Sequence, residues 1–197
     1  MRSAILVRHG ESEFSVRDAV SGDPSVDCPL TELGREQARR LGRLLENERV
    51  DVCVTSAFPR AIQTADIALE GRRVARVVLP ELNDPKAGEF EGGALSAYRA
   101  WAHSHTSADE PPGGGESRAA LVARYARGFR RVLERPEDVA LVVGHSLPIA
   151  YVLRAVAGDG PVQRIPVVEY AHPHRLTAAE LERAIERLEA WVAAPTW

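Results

Sequence analysis

Short, apolar and largely β-branched runs alternate along this chain with longer stretches that carry apolar residues at helical spacing. Four of the short runs predict strands, at residues 4–7, 51–55, 76–80 and 139–144. Four of the longer stretches predict helices, at residues 31–48, 60–71, 117–136 and 177–195. Strands that are apolar along their whole length are typical of a parallel sheet covered on both faces. The pattern therefore predicts an α/β fold with a mainly parallel central sheet.

Three of the predicted helices carry a side chain suited to cap their first turn. Thr31 precedes the first of them, and Thr177 opens a capping box ahead of the last. Glu116 or Ser117 is expected to cap the helix that follows them. Within the first helix, Leu33 is expected on the apolar stripe that faces the core.

The length of the chain, 197 residues, is sufficient for one domain with a substantial core. Residues 85–117 differ from their surroundings because proline and glycine crowd both ends of the segment. Such a segment is typical of an insertion that leaves the sheet and returns to it. We therefore expect a single domain over residues 1–197, with a short insertion at about residues 85–117.

Charge and cysteine content exclude several classes of protein. The formal net charge is −3, so nothing indicates a surface for nucleic acid or for a membrane. No apolar stretch approaches the roughly 20 residues that span a bilayer, and no signal peptide is expected. Cys28 and Cys53 form no disulfide framework, which predicts reduced thiols in a cytoplasmic protein. The sequence is also compatible with a homodimer.

Chemically active side chains follow three of the predicted strands at the point where each strand ends. Arg8 and His9 follow the first strand, Ser56 and Arg60 follow the second, and His145 follows the run at 139–144. Ligands of open α/β sheets bind outside the carboxyl ends of the strands. Two guanidinium groups match the oxygens of a phosphoryl group. One imidazole can attack phosphorus, and a second can hydrogen-bond oxygens on which charge develops.

Each of these residues alone also has a purely structural interpretation. Arg8 and His9 can simply end a strand, Arg60 can be a solvated helix residue, and His145 can be a core histidine with a satisfied ring. These interpretations do not explain why all four residues stand at strand exits. The combination therefore favours a site for phosphoryl chemistry.

Six sequence blocks resemble, in order, the signature blocks of the histidine phosphatase superfamily, and most closely its cofactor-dependent phosphoglycerate mutase-like branch. They are "LVRHGES", "LTELGREQARRLGRLL", "TSAFPRAIQTA", "GEFEG", "PPGGGES" and "LVVGHSLPI". The resemblance covers residues 4 to about 153. It implies a three-layer α/β/α sandwich in which the insertion forms part of a lid. It also implies that His9 of the RHG motif is the nucleophile, with Arg8, Arg60 and His145 as the phosphate pocket.

The chain departs from the pattern of the branch at two positions. Asp84 stands where the branch usually has a glutamate as its general acid, and Glu81 lies three residues earlier as the alternative. Either carboxyl group can protonate a leaving oxygen. Ser15 replaces an asparagine of the branch and is expected to donate a hydrogen bond to a phosphoryl oxygen. Ser21 and Gly22 occupy a position that contacts substrate in mutases, and they serve equally well as loop residues.

No metal or cofactor is predicted. The remaining histidines lack companions at the spacing of metal ligands, and they are assigned to the surface or to structure: His103, His105, His172 and His174.

The function that the sequence favours is hydrolysis of a small phosphorylated metabolite through a phosphohistidine. Mutase-type phosphoryl transfer is the first alternative, although the mutases that the chain resembles are longer and have more insertion around the lid. A serine α/β-hydrolase that uses Ser146 is a more remote alternative, because Pro148 replaces the glycine that its sharp turn usually needs. A non-catalytic protein that binds phosphate ligands is another. Lys86, Arg99 and Arg118 are candidates to recognise a carboxylate or a second phosphate.

Overall fold

A five-stranded sheet forms the centre of the computed structural model, which describes residues 1–197. The strands are β1 (Ser3–Arg8), β2 (Val52–Thr55), β3 (Ala75–Val78), β4 (Val139–Gly144) and β5 (Pro173–Thr177). Their order across the sheet is β3-β2-β4-β1-β5. The first four are parallel, and β5 is antiparallel to β1. The mainly parallel sheet and its four predicted strands are confirmed, whereas β5 was not predicted.

Helices cover both faces of this sheet. They are α1 (Glu13–Val16), α2 (Glu32–Leu44), α3 (Pro59–Ala68), α4 (Leu95–Ser104), α5 (Arg118–Leu133), α6 (Ser146–Ala157) and α7 (Ala178–Ala193). Helices α2 and α3 pack together on one face, and α5, α6 and α7 pack together on the other. The three-layer α/β/α sandwich is therefore confirmed. None of these helices combines the length and the apolar composition that crossing a bilayer requires.

Successive side chains of β1, β2 and β4 enter different cores, which explains why these three strands are apolar along most of their length. In β1, Ala4 and Leu6 join the core under α5, α6 and α7. Ile5 and Val7 join the core under α2 and α3. Because side chains alternate along a strand, this pattern fixes the register of β1 against its neighbours.

The expected helix caps are present. The side chains of Thr31, Ser117 and Thr177 each accept a hydrogen bond from a backbone N–H in the first turn of their helix, and Thr177 forms a complete capping box. The expectation for Leu33 was wrong. Its side chain is 56% exposed, because Ala38 and Leu41 are the α2 residues that face the core.

The segment at residues 85–117 packs beside the carboxyl edge of the sheet. It contains a 3₁₀ turn at Gly88–Phe90 and helix α4. Tyr98 of α4 packs with Val20 and Ala87 in a small apolar cluster apart from the two main cores. The Nε2 group of Gln163 donates to the carbonyl oxygens of Ala102 and His105. These contacts hold α4 over the site described next.

Candidate active site

His9 follows β1 directly and is only 4% exposed. Its Nδ1 lies 2.6 Å from the carbonyl oxygen of Gly10. Because a carbonyl oxygen can only accept, Nδ1 carries the proton and the lone pair of the ring belongs to Nε2. A side chain at Gly10 is excluded, since a Cβ there would lie 2.5 Å from the carbonyl oxygen of Gly34. The tight turn after β1 thus fixes which nitrogen of His9 is available for chemistry.

The surroundings of His9 keep its ring neutral. Burial lowers the pKa of His9 well below the ordinary 6.5, and the nearby charges of Arg60 and Arg8 lower it further. The rings of His9 and His145 lie 5.3 Å apart between centroids. At neutral pH the Nε2 lone pair is therefore free of a proton.

Arg60 connects the other polar groups of the site. It lies in the first turn of α3, is 3% exposed, and donates from Nε to His9 Nε2 at 3.1 Å. Its Nη1 donates to the Ser21 hydroxyl at 2.9 Å. Its Nη2 donates to an Asp84 carboxylate oxygen at 2.7 Å and to the Ser21 carbonyl oxygen at 3.2 Å. These donors are already satisfied by protein groups, so an anion that enters must replace some of these acceptors.

Asp84 and His145 form a second pair beside Arg60. His145 is the N-cap of α6, and its Nδ1 lies 3.1 Å from the Asp84 carboxylate. Because a carboxylate only accepts, the His145 proton is on Nδ1, and Nε2 accepts from the Ser56 hydroxyl at 2.9 Å. Burial alone would raise the pKa of Asp84, but the facing His145 and Arg60 outweigh it and hold that pKa well below its usual range. Asp84 is an anion in this arrangement.

Backbone contacts on both sides hold the loop that carries Asp84. The Asn83 side chain accepts from the backbone N–H of Ala57 at 2.8 Å, which ties the loop to the start of α3. From α5, Arg124 donates to the carbonyl oxygens of Asn83 at 2.9 Å and of Asp84 at 3.3 Å. Arg124 is itself paired with Glu116 at 2.6 Å. The position of Asp84 thus depends on two helices.

Arg8 is held at the end of β1 by residues from the far end of the chain. Its Nη1 donates to the Val168 carbonyl oxygen at 2.7 Å, and its guanidinium lies 3.6 Å from the centre of the Tyr170 ring. The Arg8 Nε is buried and has no hydrogen-bond partner. Val168 is positioned in turn by Ser146, whose hydroxyl accepts from its N–H at 2.8 Å. The Ser146 hydroxyl has no hydrogen bond to a histidine or a carboxylate that could activate it, which argues against its use as a nucleophile.

These side chains line one cavity of about 410 Å³ at the carboxyl edge of the sheet. It brings together most of the residues that the sequence singled out: Arg8, His9, Ser15, Ser21, Gly22, Arg60 and Asp84. The Ser15 hydroxyl lies 2.9 Å from that of Ser12. The Gly22 N–H is taken by the Glu91 carboxylate at 2.8 Å. His145 joins through its contacts to Arg60 and Asp84.

Glu81 is the predicted site residue that the structure does not bring to this cavity. Its carboxylate pairs with Arg131 of α5 on the outer side of the loop. Its backbone carbonyl oxygen accepts from Arg124. The structure places it among the helices that support the loop, three residues from Asp84 in sequence but on another surface.

Two residues of the site carried no signal that sequence reasoning used. Tyr170 reaches Arg8 through a bridge between Arg8 and Tyr170 outside the regular strands. Thr64 accepts from the N–H of Gly10 at 3.0 Å and donates to the carbonyl oxygen of Arg60 at 2.7 Å. Thr64 belongs to the block "TSAFPRAIQTA" and lies four residues after Arg60 on α3. This spacing places Thr64 on the same face of the helix as Arg60, and it was the clue available from sequence.

Replacing Arg60 with alanine is expected to lower kcat/KM by about 10²–10³-fold, the usual cost of losing one preorganised transition-state contact. The measurement is steady-state hydrolysis of an aryl phosphate, with circular dichroism to verify folding. Arg40→Ala is the matched control, because Arg40 is exposed on α2 and does not line the cavity. A folded Arg60→Ala protein with unchanged kcat/KM would remove Arg60 from the site.

The sandwich, with histidines and arginines joined at the carboxyl edge of its sheet, places the chain in a class of α/β proteins with a histidine-centred site. A family model described as the histidine phosphatase superfamily (branch 1) matches residues 4–194. The chain belongs to this family, so the resemblance seen in its motifs is confirmed.

Individual relatives include both phosphatases and mutases. An adenosylcobalamin/alpha-ribazole phosphatase of Salmonella typhimurium is 36% identical over 64% of this chain and 65% of its own length. A 2,3-bisphosphoglycerate-dependent phosphoglycerate mutase of Methylobacterium sp. is 37% identical over 62% of this chain and 64% of its own length. The matches thus span slightly less than two thirds of these curated relatives. The solved alpha-ribazole phosphatase of Shigella flexneri superimposes with a TM-score of 0.75 at 26% identity, covering 88% of this chain and 89% of that one.

Proposed function

We propose that this protein hydrolyses phosphomonoesters through a phosphohistidine formed on His9. The observation that carries the proposal is the neutral Nε2 of His9, which faces the guanidinium of Arg60 at 3.1 Å at the base of the cavity. A buried, unprotonated imidazole beside fixed cationic donors is suited to attack a bound phosphoryl group. Membership of the histidine phosphatase superfamily supports the same chemistry.

In the first step, the phosphoryl oxygens replace Asp84, Ser21 and the Nε2 of His9 as acceptors for Arg60, which frees the Nε2 lone pair. The Nε2 lone pair of His9 attacks phosphorus, and the bond from phosphorus to the leaving oxygen breaks. The imidazole gains positive charge, which the hydrogen bond from Nδ1 to the Gly10 carbonyl oxygen stabilises. His145 begins α6 and Arg60 lies in the first turn of α3, so the positive ends of two helices face the phosphoryl group.

Asp84 is proposed to protonate the leaving oxygen. In the unliganded site it is an anion, because His145 and Arg60 hold its pKa low. A phosphoryl dianion that takes over these partners removes that stabilisation and adds negative charge nearby, and both changes raise the pKa of Asp84. Asp84 then takes up a proton from solvent or from the bound phosphoryl group, and that proton passes to the leaving oxygen as its bond to phosphorus breaks. Glu81, on the outer side of the loop, is less suited to this role.

In the second step, water attacks the phosphorus of the phosphohistidine. Asp84, now a carboxylate again, accepts a proton from that water. The bond between phosphorus and Nε2 breaks, and the electron pair returns to His9. Inorganic phosphate leaves, and Arg60 regains its protein acceptors. Each step of this cycle is carried out by His9, Arg60 and Asp84, and none is routed through a metal ion.

Hydrolysis is favoured over phosphoryl transfer to a second substrate by the short insertion at residues 85–117. We propose that this segment, with α4, is the lid of a single domain over residues 1–197 that acts on small phosphorylated metabolites. A short lid leaves the phosphohistidine accessible to water. The buried, unpaired thiols of Cys28 and Cys53 support a cytoplasmic location.

Product analysis tests this function. The protein is incubated with p-nitrophenyl phosphate and, separately, with 3-phosphoglycerate plus a trace of 2,3-bisphosphoglycerate. Release of inorganic phosphate from both is the expected result. Accumulation of 2-phosphoglycerate in place of phosphate would identify a mutase. Binding of phosphate without turnover of either compound would indicate a non-catalytic protein and overturn the proposal.

A further inference from the structure

Arg124 of α5 binds the backbone of the loop that carries Asp84. Its Nη1 donates to the carbonyl oxygens of Glu81 at 2.8 Å and of Asn83 at 2.9 Å. Its Nη2 donates to the carbonyl oxygen of Asp84 at 3.3 Å. One guanidinium group thus holds three carbonyl oxygens of residues 81–84.

Glu116 takes the remaining N–H groups of Arg124. Its carboxylate accepts from Nε at 2.8 Å and from Nη2 at 2.6 Å. A guanidinium group has five N–H donors, and the three carbonyl oxygens with the two carboxylate oxygens account for all of them. Both side chains are largely buried, with 17% of Arg124 and 14% of Glu116 exposed. A charged fork whose donors are all engaged in a sheltered site fixes the groups that it binds.

The Arg124–Glu116 pair also holds the chain that follows Asp84. Glu116 comes from the block "PPGGGES", in which Ser117 is the cap of α5, so the Glu116 side chain is free to bind Arg124. The backbone N–H of Glu116 donates to the carbonyl oxygen of Lys86 at 2.9 Å. The pair therefore fixes the backbone on both sides of Asp84.

This pair contacts Asp84 without an ion pair to its carboxylate. Arg124 binds the backbone of Asp84, whereas the Asp84 carboxylate faces Arg60 and His145. Another arginine on that carboxylate would stabilise the anion and oppose the protonation that a general acid requires. Because Glu116 balances the charge of Arg124, the pair fixes the position of Asp84 and adds little net charge beside it.

We propose that Arg124 and Glu116 are positioning residues for the general acid, which hold the loop so that the Asp84 carboxylate reaches the leaving oxygen. The inference rests on the proposed function, in which Asp84 protonates that oxygen. An aspartate is one methylene shorter than a glutamate, so its reach depends more closely on where the backbone lies. An acid must come within hydrogen-bond distance of the atom that it protonates, and a displacement of about 1 Å can cost on the order of 10²-fold in rate.

Arg124→Gln tests the pair, because it removes both the charge and the fork of donors from the loop. Phosphorylation of His9 by glycerol 3-phosphate is expected to slow by about 10- to 100-fold. Phosphorylation by p-nitrophenyl phosphate should slow by less than about twofold, since a nitrophenolate leaves without a proton. The measurement is the single-turnover rate of the first step. A defect of folding alone would slow both substrates alike.

Arg131→Gln is the matched control, because Arg131 also lies on α5 and binds the same loop, but through the side chain of Glu81. It should leave both rates near those of the wild type. Glu116→Gln is a second variant, which remains informative if Arg124→Gln does not fold. Its amide keeps the size of the side chain, offers one acceptor oxygen in place of two, and carries no charge. It should show the same selective loss.

A double substitution decides whether Arg124 acts through Asp84. The acid is already absent in Asp84→Asn protein, so adding Arg124→Gln should slow phosphorylation by glycerol 3-phosphate no further, whereas independent effects would add. Unselective effects or none in both Arg124→Gln and Glu116→Gln protein, or additive effects in the double variant, would overturn the inference and leave the proposed function intact. A wild-type protein that forms no phosphohistidine, or Asp84→Asn protein without selectivity, would overturn the proposed acid and the inference with it.

Discussion

His9→Ala protein is expected to lose turnover by at least about 10⁴-fold, because the variant has no nucleophile with which to form the covalent intermediate. The wild-type protein, quenched during turnover of a ³²P-labelled substrate, should carry acid-labile and alkali-stable label. The variant should carry none. The low pKa of His9 means that labelling does not require an alkaline pH, since the ring is already neutral near pH 7.

The control for this experiment is His172→Ala, which removes an exposed imidazole that does not line the cavity. It should label and turn over like the wild type. Wild-type activity in His9→Ala protein would contradict the phosphohistidine chemistry as a whole. Activity that is lost in EDTA and restored by a divalent ion would contradict only the metal-free part.

Asp84→Asn is expected to have the second largest effect, and the effect should depend on the leaving group. A nitrophenolate departs without a proton, whereas the alkoxide of glycerol 3-phosphate needs one. The substitution keeps the size of the side chain and removes the acid. Phosphorylation of His9 by glycerol 3-phosphate should therefore slow by about 10²–10⁴-fold, and that by p-nitrophenyl phosphate far less. A single-turnover assay of the first step makes the comparison, because Asp84 also serves the second step as a base.

Glu81→Gln is the matched control, since Glu81 carries the same functional group three residues away but pairs with Arg131. It should affect both substrates equally and weakly. Equal slowing of both substrates in Asp84→Asn protein would show that Asp84 is not the acid. A selective loss in Glu81→Gln protein would transfer the role to Glu81 and would require the loop to rearrange when substrate binds.

Sequence reasoning located the four parallel strands and did not locate the antiparallel strand β5. Strands β1, β2 and β4 are apolar along most of their length because both of their faces are buried. Strand β3 lies at the sheet edge and is mostly exposed, yet its two valines still gave a strand signal. In β5, Pro173 and Arg175 interrupt the apolar pattern, which an edge strand tolerates because one of its sides needs no partner. Helix α6 was also not predicted, although Pro148 lies in its first turn, where proline is compatible with a helix.

In the candidate site too, residues placed by regular strands could be predicted, and contacts made by loops could not. His9, Arg60 and His145 could be grouped from sequence because each follows a parallel strand, and the ends of parallel strands meet. The contact of Asp84 with Arg60 depends on the path of a loop, and that path is fixed by Asn83 and Arg124. Tyr170 reaches Arg8 only because the chain returns to β1 after α6. Neither contact has a periodic signal in the sequence.

The order of the sheet also determines how the molecule can be assembled. Strand β1 comes early in the chain, whereas β4 and β5, which pair with it, come late. Ser3 therefore cannot pair with Val139 on one side or with Thr177 on the other until most of the chain has been synthesised. Until then β1 is an apolar segment with both edges unpaired, the kind that invites association with other chains. Strands β2 and β3, joined by α3, can form a local unit much sooner. The strand that precedes His9 is thus among the last to enter the sheet. Folding of a newly synthesised chain depends on the insertion of β1 between β4 and β5, which are synthesised long after it.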